Sequence, residues 1–122
     1  AGIAQLEQCL KPGFYEALEA KTSALVQQVQ VHTDAKGYPF HMFHIGSIFW
    51  MSFSNKNRVQ TADAIDPNSG ERFKVFFDHL LENGVYVGPS SYEVGFVSAA
   101  HSEDDLNQAA KVMMAALDRA YA

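Results

Sequence analysis

The sequence has one cysteine, one tryptophan and four prolines in 122 residues, and each scarcity excludes something. A lone cysteine, Cys9, makes no internal disulfide, so a disulfide-stapled fold is excluded and a reducing, cytoplasmic compartment is expected. Cys9 stands among helix formers and reads as a small packing residue rather than a nucleophile. Basic residues are few: 9 Lys and Arg against 14 Asp and Glu, a formal net charge of -5. No basic cluster exists, which argues against a nucleic-acid partner. No apolar run approaches the ~20 residues a membrane helix needs. The first ten residues lack the basic region and apolar run of a secretory leader, so none is expected there. Repeats and low-complexity tracts are missing, as are the Gly-x-Ser-x-Gly nucleophile elbow and the Gly-rich phosphate loop.

What is present is a chain with 48% hydrophobic residues, ordinary for one globular domain. Ile3, Leu6 and Leu10 recur at helical spacing with no cap residue before them. A helix entered in mid-course is expected, and with it a domain, residues 1–122, belonging to a longer protein. Lys11-Pro12-Gly13 breaks that helix. A second runs from Phe14 to about Thr33 with Phe14, Leu18, Leu25 and Val29 on one stripe, and Gly37 is suited to close it in a left-handed conformation.

Residues 40–53 are rich in strand formers and divided by Gly46-Ser47. Ile48, Trp50 and Ser52 face one way, and Phe49, Met51 and Phe53 the other. Both faces are mostly apolar, so cover on both sides is expected. Residues 54–65 read as polar and irregular. Asp66-Pro67 predicts an N-cap and first-turn proline, followed by a helix with Phe73, Phe76, Phe77, Leu80 and Leu81 and ended at Gly84. Residues 85–87 and 94–98 read as strands. Ser102 and Asp105 predict a capping box for a last helix burying Leu106, Ala109, Ala110, Met113 and Leu117. The fold class expected is α+β: an antiparallel sheet of three to four strands with helices mainly on one face.

Few side chains invite chemistry. His41 and His44 are three apart on a strand, hence on opposite faces, and no metal site is assigned. Asp66 to Gly70 lacks the spacing and closing Glu of a calcium loop. The acidic run Glu103-Asp104-Asp105 suits a first helical turn. Between Glu82 and His101, tyrosines aside, the one ionisable side chain is Glu93. Read from composition and spacing alone, Glu93 is an exposed loop carboxylate, since burying it unpartnered costs several kcal/mol.

Ordered segments carry a resemblance. Gly84-Val85-Tyr86-Val87-Gly88-Pro89-Ser90-Ser91-Tyr92-Glu93-Val94-Gly95-Phe96-Val97-Ser98-Ala99-Ala100-His101-Ser102 resembles a C-terminal passage of glutamate-1-semialdehyde 2,1-aminomutases, Gly-Val-Tyr-Leu-Ala-Pro-Ser-x-Phe-Glu-x-Gly-Phe-x-Ser-x-Ala-His-Thr. Lys11-Pro12-Gly13-Phe14-Tyr15 after Leu6-Glu7, Ile45-Gly46-Ser47-Ile48-Phe49, and Glu71-Arg72-Phe73 before Phe76-Phe77 are similar to further motifs of that family, in the same order. Trp50 and Met51 depart from its common Gly-Leu or Gly-Phe, and Tyr92 from its Phe.

The resemblance implies the small C-terminal domain of the aspartate-aminotransferase type. It implies an enzyme that converts glutamate-1-semialdehyde to 5-aminolevulinate, the tetrapyrrole precursor, by internal amino exchange with pyridoxamine phosphate, the amino form of pyridoxal phosphate. It places the Schiff-base lysine, the aspartate under the pyridine nitrogen and most phosphate contacts in a large domain outside this chain, so no cofactor-binding residue and no catalytic lysine is assigned among Lys11, Lys21, Lys36, Lys56, Lys74 and Lys111. The partners implied are that large domain and a second subunit in a homodimer. Glu93 becomes the catalytic candidate, a carboxylate facing amino groups, with Ser90, Ser91, Gly46 and Ser47 as candidate cleft neighbours. Another class III aminotransferase, or an autonomous α+β ligand-binding module, are the alternatives. Separated from a large domain, the piece is expected to expose an apolar face, with Phe49, Trp50 and Phe53 as candidates.

Overall fold

A strip of Leu18, Thr22, Leu25, Val26, Val29 and Thr33, at spacings of three and four, gives the long second helix a face to bury, and the rest of the molecule assembles on it. The computed structural model describes residues 1–54 and 59–122. Lys56 and part of the polar stretch 54–65 lie outside the described residues. The elements are helices α1 (Gly2–Cys9) and α2 (Phe14–Lys36), strands β1 (His41–Ile45) and β2 (Ile48–Ser52), a 3₁₀ turn (Ala62–Ala64), α3 (Ser69–Glu82), β3 (Gly95–Phe96) and α4 (Glu103–Ala120).

The three strands form one antiparallel sheet in the order β1-β2-β3. β1 and β2 are a hairpin with Ile45 opposite Ile48, closed by the two residues Gly46-Ser47. Gly46 has φ 54, which a glycine adopts without a Cβ clash and a two-residue hairpin needs to match strand twist. α2 lies against β1 and β2, and α4 packs between α2 and α3. Gln30 of α2 ties down the edge strand: its Oε1 accepts from the Met42 N–H at 3.0 Å, and its amide donates to the Phe40 carbonyl at 3.3 Å.

The core gathers Met42, Phe49 and Met51 from the sheet with Leu25, Val29, Phe76, Leu80, Met113 and Leu117 from the helices. Phe53, 1% exposed, is its aromatic centre, with edge contacts to Phe40, Phe73 and Phe76 at centroid distances of 5.3, 6.0 and 5.5 Å. Tyr121 closes the core's rim, stacked on Tyr38 at 4.7 Å, with the Arg72 guanidinium over its ring at 5.2 Å. Its hydroxyl donates to the Pro39 carbonyl at 2.7 Å. Burial pushes the Tyr121 phenol up to about 12, against the opposing charge of Arg72.

Expected and observed elements differ where backbone groups have other work. Residues 85–87 form no strand, because the Val85 N–H is spent on the Leu80 carbonyl (2.9 Å) and the Gly84 N–H on the Leu81 carbonyl (3.3 Å). With Gly84 at φ 79, that is the double closure of a helix C-terminus. The strand expected over 94–98 shrinks to Gly95–Phe96. α3 starts at Ser69 rather than after Asp66, since the Asp66 carboxylate accepts from the Asn68 N–H (2.9 Å) and builds a turn before the helix. The capping box at α4 is present: the Asp105 N–H donates to Ser102 Oγ at 3.1 Å, and the Ser102 N–H donates to Asp105 Oδ2 at 2.8 Å. Gly37 closes α2 at φ 68.

The expected apolar patch is corrected. Phe49 and Phe53 are 5% and 1% exposed, and Trp50 is half-buried. β2 is covered by the helices on its Phe49–Met51 side, and only towards Ser52 on the other. Apolar surface is exposed instead at Ile45, Ile48 and Phe96, and at Ile3 and Leu6 of α1 and Leu10 just after it. Leu81 and Ala109, expected inside, lie at the margins of their helices, Leu81 exposed and Ala109 half-buried. No described helix is long and apolar enough to cross a membrane.

Candidate functional site

The loop after α3 is shaped by Gly88 and two serines. Ser90 Oγ accepts from the Tyr92 N–H at 3.2 Å, and the Ser90 carbonyl accepts from the Glu93 N–H at 3.1 Å. The turn over residues 90–93 is therefore built by Ser90 itself, as serines do in polar loops. Ser91 is buried, and its carbonyl accepts from the Trp50 indole N–H at 2.9 Å. Gly88 lies beneath Glu93: a Cβ at position 88 would overlap the Glu93 side chain, at Oε2 first. Glu93 is exposed, as expected of a loop carboxylate, and its side chain is laid back against Gly88.

The candidates separate into two places. Glu93, Ser90 and Ser91 share the turn at the Trp50 end of β2. Gly46 and Ser47 sit at the opposite end, where the Ser47 carbonyl accepts from the Val97 N–H at 2.8 Å. The ladder pairs Ile48 with Phe96 and Phe49 with Gly95, and Glu93 lies beyond its Gly95 end, on the side away from Ser47. The hairpin turn thus supports the β3 segment rather than adjoining Glu93.

Two contacts were not read from the sequence. One is the indole anchor of Trp50, itself stacked on Phe43 at 5.6 Å; a buried tryptophan needs a partner for its N–H, and that requirement was the available signal. The other is Lys21. Its Nζ donates to the carbonyls of His101 (2.6 Å) and Ala99 (3.3 Å), pinning the segment between β3 and α4 to α2. Within that segment the Ser98 N–H donates to His101 Nδ1 at 3.0 Å and the Ala100 N–H to Ser98 Oγ at 3.1 Å. A cavity of about 340 Å³ opens between α4, residues 83–87 and β3, lined mostly by apolar side chains with His101 and Asp105 among them. Neither Glu93 nor the serines line it, so this hollow and the candidate carboxylate are separate places.

Solved structures share this fold. An omega-transaminase from Sphaerobacter thermophilus matches 93% of the chain with a TM-score of 0.72 and 21% identity, over 26% of its own length. A transaminase with PLP bound matches 98% of the chain with a TM-score of 0.75 and 22% identity, again over 26% of its length. A glutamate-1-semialdehyde aminomutase from Pseudomonas aeruginosa, solved with PMP, matches 86% of the chain with a TM-score of 0.72 and 16% identity, over 23% of its length. The chain has the fold of a part of aminotransferases. At these identities the likeness shows the fold, α+β with a three-stranded antiparallel sheet, and the chain spans about a quarter of the length of the structures it matches. No protein-family model matches the sequence.

Lys21 Nζ is turned to two carbonyls and Lys11 Nζ to Gln8 Oε1 (2.7 Å). The stretch 84–98 holds no lysine, arginine or histidine that could receive an aldehyde or a phosphate. Among the described residues no group of three or more His, Cys, Asp or Glu is placed to hold a metal ion.

Proposed function

We propose that this chain is the small C-terminal domain of a cytoplasmic, homodimeric, pyridoxal-phosphate-dependent enzyme that isomerises glutamate-1-semialdehyde to 5-aminolevulinate, with Glu93 as a catalytic residue. The aminotransferase-like fold supports the broader class, and the ordered motifs around residues 84–102 support the aminomutase. The observation that carries the reading is the setting of Glu93. It is the sole acidic side chain of its segment, exposed, on a turn whose backbone is hydrogen-bonded at Ser90 and anchored at Ser91.

A carboxylate held this way accepts charge-assisted hydrogen bonds from ammonium groups and takes or returns a proton at its Oε atoms. The substrate carries an amino group next to its aldehyde and the product an amino group one carbon away, so an anion at this place orients both. The cofactor, held by the remainder of the full-length protein, would face this turn. Glu93→Gln keeps the shape and removes the charge. In the full-length enzyme we expect kcat/KM for the semialdehyde to fall roughly 10²- to 10⁴-fold with an unchanged melting temperature. Full activity in a normally folded E93Q protein would refute the role.

A second reading is another aminotransferase of the same class. It is supported by transaminases that align at 21 and 22% identity against 16% for the aminomutase. Amino transfer between separate amino and oxo acids, without isomerisation of the semialdehyde, would select it.

A further inference from the structure

Backbone pairing between β2 and the returning chain is recorded at Ile48–Phe96 and Phe49–Gly95, and beyond it a side chain takes over. The Trp50 indole reaches across 41 positions of sequence to the Ser91 carbonyl at 2.9 Å. Ser91 is the second residue of the turn that the Ser90 carbonyl and Glu93 N–H close, so the indole holds the central peptide of that turn, one residue before Glu93. The indole is itself held. Phe43 stands directly opposite Trp50 in the hairpin register and stacks on it at 5.6 Å with 21° between planes. Gly88 supplies the space into which the Glu93 side chain folds.

We infer that Trp50 is a positioning residue that sets the direction of the Glu93 carboxylate through the Ser91 carbonyl, with Phe43 as its support. The inference rests on the reading of Glu93 above. Its core is a single donor, and the donor can be removed alone. Trp50→Phe keeps an aromatic ring on Phe43 and deletes the N–H; benzothienylalanine at position 50 keeps the full bicyclic shape and also lacks the N–H.

In the full-length enzyme we expect either replacement to lower kcat roughly 10- to 100-fold, as small misplacements of reacting groups do, with KM within about 2-fold. On an E93Q background the same replacement should cost nothing further, because Trp50 acts through Glu93. Hydrogen exchange supplies a readout apart from activity: the Tyr92 and Glu93 amides should exchange roughly 2- to 10-fold faster, the size of one lost ordinary hydrogen bond, while α3 and α4 keep their protection. Unchanged exchange at Tyr92 and Glu93, or a loss that multiplies in full with E93Q, overturns the inference. An impaired E93Q enzyme beside a fully active W50F enzyme overturns it alone. A fully active E93Q enzyme overturns the reading of Glu93 and this inference with it.

Discussion

Two glycines show how much one missing Cβ decides. At Gly95 an added methyl would run into the Phe49 ring, which is 5% exposed and packed in the core. The ring covers the glycine from the adjacent strand, a pairing that leaves it no room to move. At Gly88 the obstacle is the Glu93 side chain, whose carboxylate can swing into solvent but whose Cβ, 2.8 Å from the added methyl, moves only with the exposed turn that carries it. The two substitutions should therefore differ in kind. Gly95→Ala should cost about 1–3 kcal/mol, the usual penalty of overpacking, seen as a lowered urea midpoint of this chain. Gly88→Ala should lower that midpoint less, since the turn it displaces is exposed, and should redirect Glu93, lowering activity of the full-length enzyme. Equal destabilisation by both would contradict the geometry. Neither requirement is legible in the sequence, where both residues read as ordinary loop or strand-end glycines.

At the scale of elements, α2 and α4 are joined by a polar clasp at their far ends. Asp118 Oδ1 lies 2.8 Å from His32 Nε2 and accepts from the Tyr38 hydroxyl at 2.9 Å. Partial burial pushes the Asp118 carboxyl up, but the hydrogen bonds from His32 and Tyr38 and the charges of His32 and Lys36 outweigh it and hold it below the ordinary carboxylate range. A depressed folded-state value gives stability that is present above the unfolded value near ~3.9 and lost as pH falls through the folded one. Asp118→Asn should therefore destabilise at pH 6–7, and the gap to the parent should close as pH drops below about 4. With 40% of the Asp118 side chain exposed, the gap should stay below about 1 kcal/mol. Urea midpoints of both proteins at pH 6 and pH 3 check it; a gap that persists unchanged at pH 3 would show that the carboxylate charge plays no part. The α4 capping box follows the same acid logic, since the Ser102 N–H and hydroxyl hold the Asp105 carboxyl down. That box was legible from sequence because its partners are three residues apart. The His32–Asp118 contact joins residues 86 apart and was not.

For the whole molecule, the arrangement predicts a domain that folds around its own core yet carries no cofactor site of its own. Mixed with pyridoxal phosphate and reduced with borohydride, this chain should show scattered, substoichiometric labelling of its exposed lysines. One lysine labelled stoichiometrically, with a discrete visible band, would contradict it. The expected motivation is geometric: Lys21 and Lys11 are engaged elsewhere, and the turn bearing Glu93 offers no amine.

The sequence by itself determined what local rules control. The α+β class, the four helices, the hairpin at Gly46-Ser47, the left-handed Gly37 and the Ser102–Asp105 box all follow from periodicity and near-neighbour chemistry. Glu93 was singled out as the lone ionisable side chain of its segment, and its role was drawn from a resemblance rather than from spacing. Only tertiary structure decided which apolar residues lie inside. Phe49 and Phe53 are core because α2 and its partners cover that side of β2, whereas Ile48 and Phe96 meet no covering helix. It also decided that residues 85–87 stay out of the sheet, since a peptide N–H donates once and Val85 gives its own to the α3 terminus. Last, it placed Gly46 and Ser47 at the far end of β2 from Glu93, because strand register, set by Phe49 against Gly95, is a property of two segments together.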